Sequence, residues 1–415
     1  MRNFLAKKSV LFHLISLRFG INNFPLVRDY TSFQASNTID HAIGKRKKIL
    51  IIGMSESPHL HTWIEGIADS GITSDVWLFP SDFPVRRYKN SGIKVREFPY
   101  FIFGIVTNLS FRILDVLTDR LWRSYFLYRE IKRIKPTHLH FHETQHGAYL
   151  YNSIAGHPKN RFVGKVILST WGSDLIVYGR SKSHSLRVKQ TMSWVQLLTS
   201  ERVADFEIAI DNGFQGKFLA PIFITVGSKR LDPNLKQASE RNLVLIKGYQ
   251  DNHGRALNAL KCIELLSSQM DLSPFKFLVF SASESVILQS ELLENKIDIE
   301  VLPRIPKLEL MEHFKEARIY LGLSISDGLS TSMVEAMSCG AFPIQSRNSS
   351  APEFLTHGVT GGVVDPWNIE EITNILKIAL TGDDLVDHAA IVNRRVIADK
   401  YNWDVGLVKL AEVYA

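Results

Sequence analysis

The chain has 415 residues, 45% of them hydrophobic and 22% charged, with a formal net charge of +7. These are the proportions of an ordinary globular protein with a sizeable core, and only two cysteines, Cys262 and Cys339, exclude a disulfide framework and argue against a zinc site. The length suggests two or three domains, and the positive balance favours anionic partners, whether phosphorylated small molecules, nucleic acid or anionic lipid.

Residues 1–28 hold no acid and surround the short apolar run SVLFHLISL with basic residues. His13 and Arg18 interrupt that run, and no small-x-small cleavage site follows. Residues 1–45 are therefore read as a poorly ordered or membrane-touching extension. No uninterrupted apolar run reaches about 18 residues, so no transmembrane helix is expected.

From 46 onward a strand–helix rhythm begins. ILIIGMSES is a buried strand running into a tight loop at Gly53, HTWIEGIADSG a helix ending at Gly71, and SDVWLF the next strand. KPTHLHFHE, GKVILSTWGSD and DFEIAI read as further strands. Between them, YFIFGIVTNLSFRILDVLTDRLWRSYFLYREIKRIKP mixes aromatics with Arg112, Arg120, Arg123, Arg129, Lys132, Arg133 and Lys135. It suits either an anionic membrane surface or a solvated basic face over a packed helix. Residues 216–240 read as a linker. A second series follows: strands NLVLIKGY, FKFLVFSAS, DIEVLPRI, RIYLGLS and GAFPIQS alternate with helices GRALNALKCIELLSSQ, ESVILQSELLENK and KLELMEHFKEA. The fold expected is α/β, two Rossmann-like doubly wound domains, 46–215 and 241–395, facing across a cleft, with a terminal helical segment at 396–415. Ligands in such sheets bind outside the carboxyl ends of the strands, which selects the loops at GMSESPH, HETQHG, TWGSD, KGYQDNHGR and SDGLSTS.

The last of these is the most informative. Gly328 permits backbone close to a ligand. Leu329, Ser330 and Thr331 lead into a helix start whose unpaired N–H groups suit a diphosphate. Glu335, about one turn inside, can accept from both hydroxyls of a ribose, and Asp327, eight positions before it, can reach the sugar beyond the phosphates. Ser332-x-x-Glu335 also reads as a capping box that needs no ligand. No GxGxxG is present, which argues against nicotinamide or flavin. The charge is scattered without a stacking motif, which argues against nucleic acid.

Asp327-GLSTSMV-Glu335, the AMSCGAFPI and APEFLTHGVTGGVVDP stretches after it, LELMEHFKEARIYLGLSIS before it, and the KPTHLHFH, STWGSD and IKGYQDNHGR elements together resemble the family-4 retaining glycosyltransferases of the GT-B fold. The resemblance spans most of 46–415. It departs from the family at Asp327, where Glu is usual, and the shorter side chain retracts the carboxylate by one methylene.

The resemblance implies a nucleotide-sugar donor held by the second domain and a glycan or lipid-linked acceptor presented by the first, with no essential metal and no other cofactor. It implies same-face attack, with the departing phosphate taking the acceptor proton. Lys247 and Arg255 would clamp the diphosphate, although the family's usual spacing is not reproduced and both also read as surface charge at a helix start. His142 would face the reacting sugar, and Asp327 would position it. Gly53, Ser57, Gly172, Ser173 and Asp174 would line the acceptor side. Asp174 reads equally as a helix cap, and His59 and His61 belong to the same acceptor-side floor. YNWDVGLVKLAEVYA would return to the first domain. The family context implies surface polysaccharide or lipopolysaccharide synthesis in the cytoplasm, peripheral to the inner face of the membrane. A GT-B epimerase or phosphorylase, or a catalytically silent nucleotide-sugar-binding protein, stays open.

Overall fold

The computed structural model describes residues 46–55, 57–81, 94–95, 115, 117–118, 120–157, 160, 162–222, 231–251 and 253–415. The expected N-terminal extension, Arg112 and part of the expected linker lie outside the described residues. Among the described residues the first sheet has seven strands. They are β1 (Lys47–Gly53), β2 (Ser74–Pro80), β3 (Lys94–Val95), β4 (His138–His142), β5 (Lys165–Thr170), β6 (Leu197–Ser200) and β7 (Lys217–Leu219). They run parallel in the order β3-β2-β1-β4-β5-β6-β7. The second sheet has six, β8 (Leu243–Lys247), β9 (Lys276–Phe280), β10 (Ile299–Val301), β11 (Ala317–Gly322), β12 (Phe342–Ser346) and β13 (Gly362–Val364), parallel in the order β10-β9-β8-β11-β12-β13. Central strands such as Ala317–Gly322 are buried at every position. A parallel sheet covered by helices on both faces requires such burial, and the one charged side chain in this strand, Arg318, is bonded to the Ala379 and Ser239 carbonyls and to Asp383.

The first domain carries α1 (Pro58–Asp69), α2 (Leu121–Ile134), α3 (Tyr149–Ala155), α4 (Gly172–Ile176), α5 (Ser185–Met192) and α6 (Asp205–Asp211). The second carries α7 (Ala256–Ser267), α8 (Glu284–Leu293), α9 (Lys307–Glu316), α10 (Thr331–Ser338), α11 (Ala351–Phe354), α12 (Ile369–Thr381) and α13 (Asp383–Lys400). In α7, Ala256, Ala259, Leu260, Ile263 and Leu266 recur at helical spacing and form the buried stripe against the sheet. No described helix is long and apolar enough to cross a membrane.

Three expectations need correction. DFEIAI is the helix α6. Its alternation imitates a strand, but the two acids fall in the first turn, Ile208 and Ala209 are buried, and Phe206 and Ile210 are exposed. The strand at this point is β6, four residues earlier and too short to announce itself. β7 also carries the first sheet past residue 215. In the basic segment, Arg123 is buried, bonded to the Ser81 carbonyl at 2.6 Å and paired with Asp115 at 2.5 Å, while Arg120 bonds the Gln145 carbonyl at 2.8 Å. These two arginines are structural. The exposed basic face of α2 and its C-terminal end is left to Arg129, Lys132, Arg133 and Lys135.

The last helix, α14 (Trp403–Val413), starts on Asn402, whose side chain accepts from the Val405 amide at 2.9 Å. It packs against α1, and Leu410, Val413 and Tyr414 join the first domain's core with Ile49, Ile51 and Trp63. The Tyr414 hydroxyl accepts from Trp63 Nε1 at 3.0 Å and meets His140 Nδ1 at 2.5 Å. Tyr414→Phe leaves both partners unsatisfied in the core, and urea unfolding should register a loss of about 1–3 kcal/mol.

Candidate functional site

In both sheets the strand order reverses at one place, between β1 and β4 and between β8 and β11. A crevice opens at the carboxyl end of such a switch point because the flanking connections leave in opposite directions. Gly53 ends β1, His142 ends β4, Lys247 ends β8, and the loop carrying Asp327 follows β11.

On the second domain, Lys247 Nζ lies 3.7 Å from Asp327 Oδ2 and 5.0 Å above the Tyr249 ring. Burial works against the charged form of Lys247, but Asp327 and the phenols of Tyr320 and Tyr249 outweigh it and raise its pKa. The Ser324 hydroxyl donates to Asp327 Oδ2 at 3.3 Å. Ser330 caps α10, its side chain accepting from the Met333 amide at 3.4 Å, and Thr331 is the first helical residue. The Ser332–Glu335 capping box therefore does not form. Glu335 turns instead to Lys307 at the start of α9, 2.8 Å away. Burial raises the Glu335 pKa, with Lys307 and Lys247 opposing. Arg255 is turned back on its own loop. Its Nη1 bonds the Asp251 and Gly254 carbonyls at 2.9 and 2.6 Å and its guanidinium lies 5.5 Å from the Trp367 ring.

On the first domain, His142 is buried, and both its ring nitrogens lack a hydrogen-bond partner. It stands between the edge of Trp63 at 5.1 Å and the stacked Trp171 at 5.7 Å, and burial, with His59 adding to it, pushes its pKa down to about 3. Gly53 sits against it, with Cβ room limited to 3.0 Å from His142 Cβ. Ser57 precedes α1 without capping it through its side chain. His59, on α1, lies 4.9 Å from Trp171 and feels Asp327, Lys247 and Lys307 across the cleft. His138 and His140 are otherwise engaged. His138 Nδ1 meets the Thr137 hydroxyl at 2.8 Å, and His140 links Tyr414 to Ser169. Among the described residues no group of three or more His, Cys, Asp or Glu could hold a metal ion.

Asp174 takes the helix-cap role. Its carboxylate accepts from the Trp171 amide at 2.7 Å and from the Thr144 amide and hydroxyl at 2.6 and 2.7 Å, with Gln145 Nε2 at 3.2 Å, and it is 2% exposed. Burial lifts its pKa to about 6. It shapes the loop after β5 from within.

The two domains touch where the segments after β5 and β6 meet the loop after β11. A Cβ at Gly172 would stand 2.0 Å from the Gly328 nitrogen, so only glycine permits this approach. Ser173 Oγ lies 2.9 Å from Ser326 Oγ. The Leu329 amide, assigned to the diphosphate, donates to Glu201 Oε2 at 2.8 Å. Glu201, Glu353 and Lys307 were not singled out from the sequence. Glu201 follows the strand that was missed, and no spacing rule reaches a partner in another domain.

A family model described as "Glycosyl transferases group 1" matches residues 229–395, and one described as "Glycosyl transferase 4-like" matches 48–201. A GDP-mannose-dependent alpha-(1-6)-phosphatidylinositol monomannoside mannosyltransferase of Mycolicibacterium smegmatis is 28% identical over 117 residues, which is 26% of this chain and 30% of that relative. The GPI3 subunit of phosphatidylinositol N-acetylglucosaminyltransferase of Saccharomyces cerevisiae is 21% identical over 293 residues, 66% of this chain and 60% of its own length. The chain thus covers less than two thirds of either relative. The crystal structure of Anabaena HepE in complex with UDP and glucose superposes with a TM-score of 0.65 at 14% identity, covering 89% of this chain and 99% of that one. The likeness shows the GT-B fold.

Two outcomes follow from this geometry. Gly172→Ala keeps each domain folded but bars their contact, so hydrogen exchange at the Leu329 amide should accelerate by about tenfold or more while exchange inside both sheets is unchanged. His138 and His142 have folded pKa values of about 4 and about 3, below the ordinary 6.5, so their contribution is complete above pH 6.5 and is lost as the unfolded chain takes up protons below it. Stability should fall by on the order of 1 kcal/mol per pH unit per histidine between pH 6 and 4. Asp174 works in the opposite direction over that range, so chemical unfolding of wild type against His142→Asn isolates the histidine slope.

Proposed function

The chain belongs to the group 1, family-4-like glycosyl transferases, and from that premise we propose that it is a retaining enzyme that moves a sugar from a nucleotide-sugar donor to a glycan or lipid-linked glycan acceptor in surface polysaccharide or lipopolysaccharide synthesis. The observations that carry the proposal are the Lys247–Asp327 pair at one switch point and the unpartnered His142 at the other, in domains that touch at Gly172 and Gly328. A buried imidazole held neutral can donate from one nitrogen and accept at the other, which matches a sugar hydroxyl. Asp327 accepts from a second hydroxyl. Lys247, charged and already near Asp327, needs only a small rotation to meet the diphosphate and neutralise the charge that develops on it as the sugar leaves.

Glu335 binds the ribose. Its bond to Lys307 involves a lysine side chain that is 67% exposed, so the pair is readily exchanged for hydroxyls. Thr331 and the helix start of α10 face the phosphates. Arg255 reaches them by leaving Trp367. The HepE crystal structure, with UDP and glucose, supports a donor of this chemical type. The exposed basic residues Arg129, Lys132 and Lys135 favour an anionic membrane surface beside a lipid-linked acceptor. A silent nucleotide-sugar-binding protein is the second reading, and the retracted Asp327 carboxylate favours it. Release of labelled sugar by wild type, absent in Asp327→Asn, excludes it.

A thermal-shift screen of UDP-, GDP- and ADP-sugars should raise the melting temperature of wild type for one base and not for Glu335→Ala, by the mass action of a ligand that binds only the folded chain. Stabilisation by none of the three would refute the proposal. Lys247→Ala should weaken nucleoside diphosphate binding by about tenfold or more, read by calorimetry, as removal of one charge-assisted phosphate contact requires.

A further inference from the structure

The proposed chemistry leaves two carboxylates on the domain contact without a role, one buried and one exposed. Glu201 follows β6 and is 5% exposed. Its Oε2 accepts from the Leu329 amide of the second domain at 2.8 Å. Glu353 lies in α11 of the second domain. Its two oxygens accept from the amides of Val203 and Ala204 in the first, at 2.9 and 3.1 Å. The segment 201–204 thus gives one carboxylate to the opposite domain and receives one from it. Bonds from backbone N–H to a carboxylate are charge-assisted and stronger than neutral ones. The fit is specific at the loop after β11. A Cβ at Gly328 would stand 2.3 Å from Glu201 Oε2, so the loop has been left bare where the carboxylate enters.

We propose that Glu201 and Glu353 form a reciprocal clasp that holds the interdomain cleft shut, and that Glu201 is a positioning residue for sugar transfer. By gripping the Leu329 amide, Glu201 fixes the loop that carries Asp327 in register with the first domain and its His142. The positioning role rests on the proposed transferase reading. The clasp itself needs no donor. Closure of this kind completes a catalytic site that neither domain holds alone.

Small-angle X-ray scattering of the full chain without nucleotide tests the clasp. The radius of gyration should rise in Glu201→Ala and in Glu353→Ala, and most in the double variant, with circular dichroism unchanged. An unchanged radius in the folded double variant overturns the clasp. Where an alanine variant does not fold, Glu201→Leu and Glu353→Leu, which keep bulk and remove both acceptor oxygens, decide by the same reading. The positioning role is tested by turnover of UDP-glucose or GDP-mannose, whichever wild type hydrolyses. Loss of charge assistance should lower kcat by about tenfold in Glu201→Gln, and loss of the bond by about a hundredfold in Glu201→Ala, with KM within about twofold. A raised KM with kcat kept, or tighter UDP binding in either variant, overturns the role by making Glu201 a binder or a competitor of the donor. Failure of wild type to act on any donor counts against the transferase reading, and the scattering result still decides the clasp.

Discussion

A parallel sheet must send every connection back over one of its faces, and at one place in each sheet the direction of return has to change. The two reversals in this chain, at β1–β4 and β8–β11, leave strand ends that no helix covers. Everything chemical in the molecule is arranged on those uncovered ends. The sheets supply rigid, dry platforms, and the residues at their tips differ in kind: an imidazole and aromatic rings on one side, a lysine and carboxylates on the other. Neither tip alone offers a place where a sugar could meet both a hydrogen-bonding imidazole and a charged pair.

The electrostatics follow from which groups lose water. His138, His140 and His142 lie in a core strand and are held neutral by it. Lys247 is enclosed too but keeps its proton because Asp327 stands close. A charged lysine beside a short carboxylate is a pair in tension with any incoming anion, and that tension suits a site whose ligand arrives with phosphates. Between the domains the polar contacts are carboxylates bonded to amides and hydroxyl to hydroxyl, with two glycines meeting where side chains would collide.

Much of this was legible in the sequence, for local reasons. The apolar runs of β1, β8 and β9 are continuous, and the loop Asp327–Thr331 declares itself through an acid, a glycine and hydroxyls in sequence. The placement of Lys247, His142 and Asp327 at strand ends or just beyond, and of Glu335 one turn into the following helix, was readable from the same pattern. What was hidden depended on partners far along the chain. Glu201 meets Leu329 across 128 residues. Arg255 was drawn to Trp367, and Asp174 to Thr144 and Gln145, neither of which spacing could foretell. DFEIAI failed for another reason: period-two alternation over six residues cannot outvote a helix whose first turn holds two acids and whose cap comes from the opposite domain through Glu353.

The anchoring of Tyr414 in the first domain bears on biosynthesis. Trp63 and His140 emerge from the ribosome long before the residue that satisfies them, which lies 351 and 274 positions further on. Domains ordinarily fold as they emerge, amino-terminal first. Here the residue that seals the earlier domain follows the whole of the later one, so the earlier domain waits with an unsealed face while the later one is made. The nascent chain therefore ties the completion of its first folding unit to the completion of its second.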